Sequence, residues 1–357
     1  MDDSRLKELA DSLRAFNLER PVHIMEVCGT HTTEFFHTGV KGMFPANLRL
    51  VDGPGCPVCV TANGYLDRAI EIGRRHGVIL ATFGDMMRVP SSYSTLQKEK
   101  AGGIPVEIVY SPLDALLLAR RFPEKEVVFL SVGFETTLPT EAVAVKKAME
   151  DGITNFSILA GNKLTPPAVA ALLDAGEVNI DGFILPGHVS VITGTGGWRF
   201  VAEKYRKPCV IAGFEGEDLI VATLVLLNLI SGSRADIING YGRVVTEAGN
   251  LRAREVIDEV FEPEDAVWRG IGRIPSSGMR LRPEFHGFDG ARKFPVTPPP
   301  EVEPAGCRCG EILRGLLLPP QCPLFGRTCT PRNPVGACMV SSEGSCAAYY
   351  KYEGGDA

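Results

Sequence analysis

The sequence predicts an α/β protein of two related α/β lobes whose strand-end loops face a common cleft, followed by a small cysteine-rich iron-sulfur domain. Three observations carry this reading. Short β-rich apolar runs alternate with glycine-containing turns and helical segments between residues 21 and 265, the pattern of layered α/β structure. Strand endings recur in echo: Val127-Val-Phe-Leu-Ser-Val-Gly-Phe-Glu135 resembles Cys209-Val-Ile-Ala-Gly-Phe-Glu215, and Leu50-Val-Asp-Gly-Pro-Gly-Cys56 resembles Ile184-Leu-Pro-Gly-His188. Between Gly306 and Tyr350, six of the ten cysteines fall within 45 residues that hold too few apolar side chains for a core of their own, and such a segment needs a staple such as metal.

Taken in order, Leu6, Leu9, Leu13 and Phe16 recur at helical spacing, so Ser4 to Leu18 reads as an amphipathic helix with Ser4 or Asp3 as N-cap and Pro21 as its end. This N-terminal piece, residues 1–20, is expected to pack with the C-terminal domain. Lobe I, residues 21–139, takes strands at Val22–Val27, Leu48–Val51, Val78–Thr82, Val106–Val109 and Val127–Val132. Lobe II, residues 140–265, takes Phe156–Ala160, Gly182–Leu185 and Pro208–Ala212. From 266 to 357 the texture turns to Gly, Pro and Arg, and the proline-rich connector Pro295 to Pro304 leads into the cysteine-rich domain.

With 357 residues, 45% hydrophobic and 22% charged, the chain has the composition of a soluble globular protein of two or three domains. A net charge of −6 without an arginine- or lysine-rich patch argues against a general nucleic-acid binder. The N-terminus lacks the basic-then-apolar form of an export signal. The most apolar run, Leu219 to Ile230, is twelve residues interrupted by Asn228, whereas a bilayer needs about twenty. The expectation is a cytoplasmic protein with no membrane partner, in which ten cysteines serve metal, cluster or redox work rather than a disulfide framework.

The motif that organises the rest is Gly53-Pro-Gly-Cys56-Pro-Val-Cys59, directly after an apolar run. Its glycines permit close backbone approach and its prolines stiffen the turn, so Cys56 and Cys59 are placed to close a disulfide or bind metal. Met25-Glu-Val-Cys28-Gly-Thr-His31 sets another thiol and an imidazole after a neighbouring strand. Together they can meet one transition metal, or the histidine can lower the thiol pKa; simple packing is the plainer alternative. Gly133-Phe-Glu135-Thr-Thr137 places a carboxylate where a helix begins, as a binding group or as part of an ordinary cap. Pro186-Gly-His188-Val-Ser190 puts an imidazole on a further strand end, either in the cleft or as a satisfied structural histidine. The turn Thr193-Gly-Thr-Gly-Gly197 lacks a Walker lysine or a full dinucleotide fingerprint, so it is a weak phosphate cradle.

Of the C-terminal cysteines, Cys309, Cys322, Cys329 and Cys346 are separated by twelve, six and sixteen residues. Structural zinc sites mostly use thiols paired two to four residues apart, so the spacing favours a 4Fe-4S cluster over zinc or free buried thiols. Cys307 and Cys338 are left out, and Cys307 substitutes for Cys309 without violating the pattern.

Five motifs in order, Cys28-Gly-Thr-His31, Gly53 to Cys59, Gly133 to Thr137, Pro186 to Ser190 and the terminal cysteines, resemble the HypD family of hydrogenase maturation proteins from about residue 22 onward. The resemblance implies a scaffold on which the iron of nickel-iron hydrogenases receives cyanide and carbon monoxide. It implies a HypC-type chaperone that shares the iron through one cysteine from each protein, and a HypE-type donor of cyanide made from carbamoyl phosphate. By motif match Cys28 is the iron ligand, Cys56 and Cys59 the redox-active pair, and the C-terminal set the 4Fe-4S ligands. His31 would support Cys28 or its iron, with Glu135 and His188 lining the same cleft. The competing readings are a free-standing dithiol oxidoreductase with an electron-relay cluster, which no Gly-x-Gly-x-x-Gly supports, and a zinc-stapled binding module.

Overall fold

Buried parallel strands demand apolar side chains on both faces, and the apolar runs of this chain meet that demand. In the computed structural model, which describes residues 3–354, all five residues of Val127–Ser131 are buried, as are all five of Gly182–Pro186. The strands are β1 (Val22–Glu26), β2 (Leu48–Asp52), β3 (Ile79–Thr82), β4 (Val106–Ile108), β5 (Val127–Ser131), β6 (Phe156–Ala160), β7 (Gly182–Pro186), β8 (Cys209–Ala212) and β9 (Ile237–Asn239). They form two parallel sheets, one in the order β2-β1-β7-β8-β9 and one in the order β4-β3-β5-β6. The eight strands expected from sequence are present within one residue at either end.

Their grouping differs from the expected contiguous division at 139/140. β1 and β2 join the sheet of β7–β9, while β6 joins that of β3–β5, so each sheet draws on both sequence halves. The echoed motifs do not mark equivalent strands either: β2 and β7 flank β1 in one sheet, and the two Gly-Phe-Glu endings follow β5 and β8 of different sheets. What they share is the local chemistry of a strand turning into a helix.

Both sheets do share one topology. In each, the chain steps from an inner strand to one side, then returns to pair on the other side, leaving a switch point between β1 and β7 and another between β3 and β5. Ligands of open parallel sheets sit outside the strand C-termini at such points.

The final expected boundary, 265/266, cuts through an antiparallel hairpin, β10 (Phe261–Trp268) paired with β11 (Gly272–Leu281). Pro263 and Pro275 and the polar run Ser276-Ser277 hid it, because proline within a run argues against a strand. The connector crosses back over the surface without regular structure from 295 to 304. It is tied down where Asn63 Nδ2 and Tyr93 Oη donate to Val302 O (2.9 Å) and Pro300 O (2.8 Å).

The N-terminal helix, Asp3–Arg14, does not pack with the cysteine-rich segment. Ala10 and Leu13 are buried with Leu219, Ile220, Leu226 and Leu227 of the helix Gly216–Ser231, against the sheet of β1 and β8. That helix carries the most apolar run of the chain, and its burial on two sides explains the run. The expected cap residues Asp3 and Ser4 are instead the first two residues of the helix as described. Among the described residues no helix is long and apolar enough to cross a membrane.

Leu13 is fully buried, so Leu13→Ala should lower stability by about 2–5 kcal/mol, read from denaturant midpoints. Alkylation of the six C-terminal cysteines in the native protein should stay unchanged; a parallel rise in their labelling would return this helix to the cysteine-rich segment.

Candidate functional site

The two switch points open onto one cleft. A cavity of about 550 Å³ is lined by Cys28 and Thr30 after β1, Gly55, Pro57 and Val58 after β2, Phe83 to Asp85 after β3, Val132 to Phe134 after β5, and Pro186 and His188 after β7. Every parallel strand end that carries a motif of the sequence, apart from the Gly-Phe-Glu after β8, thus contributes to one wall or the other.

Cys28 occupies the N-cap position of the helix Gly29–His37, with extended backbone at φ −156° and ψ 116°. The backbone N–H groups of Thr30 and His31 face its sulfur, although no cap hydrogen bond closes. Its own N–H donates to Glu26 Oε2 at 2.7 Å, and Thr32 Oγ1 donates to the other oxygen of the same carboxyl. Burial, joined by the charge of Glu26, pushes the thiol up to about 12, so it stays protonated at neutral pH until a cation reverses the balance. Glu26 is itself buried beside its register partner Asp52. Burial and the charge of Asp52 hold Glu26 well above the usual carboxylate range, and burial raises Asp52 to about 6.

The second turn is pressed onto the first. Gly29 N–H donates to Gly55 O at 2.9 Å, and a Cβ on Gly55 would stand 2.2 Å from Cys28 N; only glycine fits. Cys56 then caps the short helix Pro57–Val60, with proline at its first turn where a missing N–H costs nothing. Cys56 and Cys59 are joined as a disulfide, with Cα atoms 5.3 Å apart. Both are buried, Cys59 completely. The turn has two faces: Gly55, Pro57 and Val58 line the cleft, while Cys56 and Cys59 belong to the apolar core that also holds Cys309, Cys338 and Cys346.

The two histidines flank Phe214. His188 stacks on it at 3.9 Å between ring centroids and remains exposed to the cleft; His31 lies at 4.7 Å on it and is fully buried. Burial pulls His31 down to about 4, so its ring is neutral. Nε2 donates to Gly213 O at 3.0 Å, which leaves Nδ1 as a bare acceptor without a partner among the described residues. The expected bond from His31 to Cys28 is therefore not made.

Glu135 is not among the residues lining the cleft. Its carboxyl accepts Thr165 N–H at 2.7 Å and Thr165 Oγ1–H at 3.0 Å, so it caps the helix Thr165–Ala175 rather than the one that follows it in sequence. Thr137 sits at the N-cap of that next helix but donates its hydroxyl to Phe134 O at 3.0 Å.

Sequence reasoning missed three acids. Glu26 and Asp52 each end an apolar strand beside a thiol turn, which was the available signal. Glu343 enters the cleft from the far end of the chain and accepts Thr30 Oγ1–H at 2.8 Å; its only sequence cue is proximity to Cys346.

The six C-terminal cysteines line one small apolar cavity together with Ile312, Leu324, Phe325 and Met339. Cys307, Cys309, Cys338 and Cys346 neighbour one another in that order. Cys322 and Cys329 stand on the Leu324–Phe325 side, where Phe325 bridges to Cys329. The structure thus brings Cys307 and Cys338 to the same cavity as the four chosen by spacing. Among the described residues no three His, Cys, Asp or Glu side chains gather closely enough to hold a single metal ion, so the thiols ring a space rather than meet at a point.

Burial pushes the Glu135 carboxyl up to about 7 from an ordinary 4.5. The folded protein therefore keeps a proton that the unfolded chain releases between those values, and stability falls as pH rises through that window. Glu135→Gln keeps an acceptor for Thr165 N–H and carries no charge. Its urea midpoints should gain on those of the parent between pH 4.5 and about 7 and run parallel above; midpoints parallel throughout would contradict the raised pKa.

Comparison with known proteins places this geometry. The HypD family profile, described as the hydrogenase formation hypA family, matches residues 4–353. The chain is 46% identical over 356 residues to the hydrogenase maturation factor HypD of Rhodobacter capsulatus, covering 98% of this chain and 94% of that protein. It is 44% identical over 360 residues to the HypD of Rhizobium leguminosarum bv. viciae, covering 98% and 94%. To the HypD of Escherichia coli (strain K12) it is 44% identical over 348 residues, covering 97% and 93%. Profile and relatives alike span both sheets, the hairpin and the ring of thiols, and the chain belongs to the HypD family of hydrogenase maturation factors.

Proposed function

We propose that this protein is a redox-active scaffold of the cytoplasm on which the iron of nickel-iron hydrogenases receives its cyanide and carbon monoxide ligands. The observation that carries the reading is spatial order: Cys28 on the cleft, the Cys56–Cys59 turn behind it, and the six thiols behind that. Cys28 is the anchor for the iron, which is cargo. A single thiolate from this chain leaves the remaining positions to others, so a HypC-type chaperone supplies a further thiolate within the cleft and a HypE-type donor delivers cyanide there. Soft thiolates suit ferrous iron bearing strong-field ligands. The cleft walls Phe83, Val109, Phe134 and Val189 would keep water from the diatomic ligands.

The cavity at the C-terminus fits a 4Fe-4S cluster by its donor set, since six cysteines line it and the rest of its wall is apolar. Cys309, Cys322, Cys329 and Cys346 hold the cluster in this reading. When bound it supplies electrons one at a time. Cys56 and Cys59 store two electrons and two protons as a dithiol and release them on closing the disulfide. Glu26 fixes the backbone of Cys28, and His188 stands exposed at the cleft to orient or deprotonate an incoming ligand.

Infrared spectra of the protein co-purified with its chaperone should show cyanide and carbon monoxide stretches, and Cys28→Ala should remove them while leaving the broad cluster absorbance near 400 nm. Stretches that persist in Cys28→Ala would shift the anchor to the dithiol turn. Serine at Cys309, Cys322, Cys329 or Cys346 should bleach that absorbance, whereas serine at Cys307 or Cys338 should leave the paramagnetic signal of the reduced cluster intact. The reverse pattern would reassign the ligands.

A further inference from the structure

Arg269 stands in the tight turn between β10 and β11 with 2% of its surface exposed. An arginine side chain is always charged, and a buried charge left without a partner costs several kcal/mol. Nε donates to Thr61 O at 2.7 Å and Nη2 to Pro90 O at 3.3 Å, while Nη1 is buried with no partner. Two carbonyl dipoles offset part of the cost. Among the described residues no carboxylate pairs with this guanidinium, whereas the exposed Arg20, Arg74, Arg120, Arg199, Arg234 and Arg243 each have one.

The surroundings identify the missing anion. Arg269 N–H donates to Val60 O at 2.9 Å, directly after Cys59, and Thr61 bridges to Trp268. On its other side the neighbouring Gly270 is packed so tightly on Gly310 that a Cβ would lie 2.1 Å from the Gly310 Cα, and Gly310 follows Cys309. The turn that carries the guanidinium is thus held between the dithiol turn and the helix that begins at Cys309, within electrostatic reach of Cys307 and Cys309. Neutral thiols give it nothing to balance. A 4Fe-4S cluster held by four thiolates is an anion in both of its common oxidation states and gains one more negative charge on accepting an electron.

We propose that Arg269 is the counter-ion of the cluster and a positioning residue of the electron path, stabilising the reduced cluster and holding it against the Cys56–Cys59 turn. This rests on the cluster reading given above. The electron comes from an external low-potential donor and resides on the cluster; Arg269 neither gains nor loses a proton. Removing the positive charge makes the cluster harder to reduce, and a lysine, which keeps the charge without the planar fork, restores most of the effect.

The test is a potentiometric titration of anaerobically purified full-length protein, with dithionite as reductant and the paramagnetic signal of the reduced cluster as readout. In Arg269→Met the ratio of reduced to oxidised cluster at fixed potential should drop at least tenfold, a shift of about 59 mV for one electron. Arg269→Lys should stay within about threefold of the parent on the same scale. An Arg269→Met protein with full cluster content and the parent's titration curve overturns the proposal. If Arg269→Met fails to fold, Arg269→Lys decides: a tenfold shift there means that the hydrogen bonds, not the charge, are what matters, and the proposal falls. A parent protein with no cluster signal at all, before any substitution, refutes the cluster reading itself and the counter-ion with it.

Discussion

The arrangement of this protein depends on two backbones touching where no side chain fits. Gly55 lies against the Cys28 peptide, whose atoms come within 2.5 Å of where a Cβ on Gly55 would be, and that approach stacks the dithiol turn directly on the Cys28 turn. A residue with a side chain at 55 would push β2's turn outward, break the Gly29 to Gly55 hydrogen bond and open the wall of the cleft. The same device recurs one layer deeper, where Gly270 meets Gly310 and sets the hairpin on the helix of Cys309. Glycine here is chosen for proximity, since neither contact at residue 55 nor that at residue 310 needs a left-handed backbone.

Stacking three sulfur sites this closely buries charge, and the charges are sorted by sign. Behind Cys28 stand Glu26 and Asp52, acids in register on adjacent strands, and burial together with Glu26 disfavours a thiolate at Cys28. Within electrostatic reach of Cys307 and Cys309 stands Arg269, which favours negative sulfur. Lys41, held over the rings of Phe36 and Tyr349 and paired with Glu353 at 2.8 Å, moderates the acid pair from the other side. The gradient runs from an acidic environment at the cleft to a cationic one at the ring, with the neutral disulfide between them. Such a field favours electron density on the ring and a positive ion at the anchor.

Much of this was legible in the sequence because its signals are local. Strands buried on both faces read as apolar runs, and thiols in glycine-proline turns at their ends declare themselves, so eight strands and the residues Cys28, Cys56, Cys59 and His188 were placed from pattern alone. The grouping of strands into sheets was not legible, since parallel pairing is long-range and one apolar run is as good a neighbour as another. The hairpin escaped because its prolines and serines sit where its edges face solvent or a bulge. Glu135 misled for a related reason. A carboxylate after a strand end reads as a group lining the cleft, and nothing local says that it reaches across to Thr165. Glu343 and Arg269 act over hundreds of residues of sequence separation, and their roles exist only in three dimensions.

Burial of the disulfide decides how electrons can reach it. Exchange with a soluble thiol requires a thiolate to approach a sulfur in line with the S–S bond, and Cys56 and Cys59 are 3% and 0% exposed. The cleft face of the turn presents Gly55, Pro57 and Val58 instead, so a small reductant arriving with the cargo meets backbone and apolar surface. The face on which the sulfurs lie is packed against the residues around the thiol ring, including the segment Ala337–Met339. Under the proposed scheme electrons therefore enter the dithiol from the ring side and leave toward the cleft. In that scheme one-electron delivery from the ring and two-electron storage in the dithiol would require two successive transfers for each turnover, with Arg269 tying the hairpin turn to the dithiol turn through its bonds to Val60 O and Thr61 O.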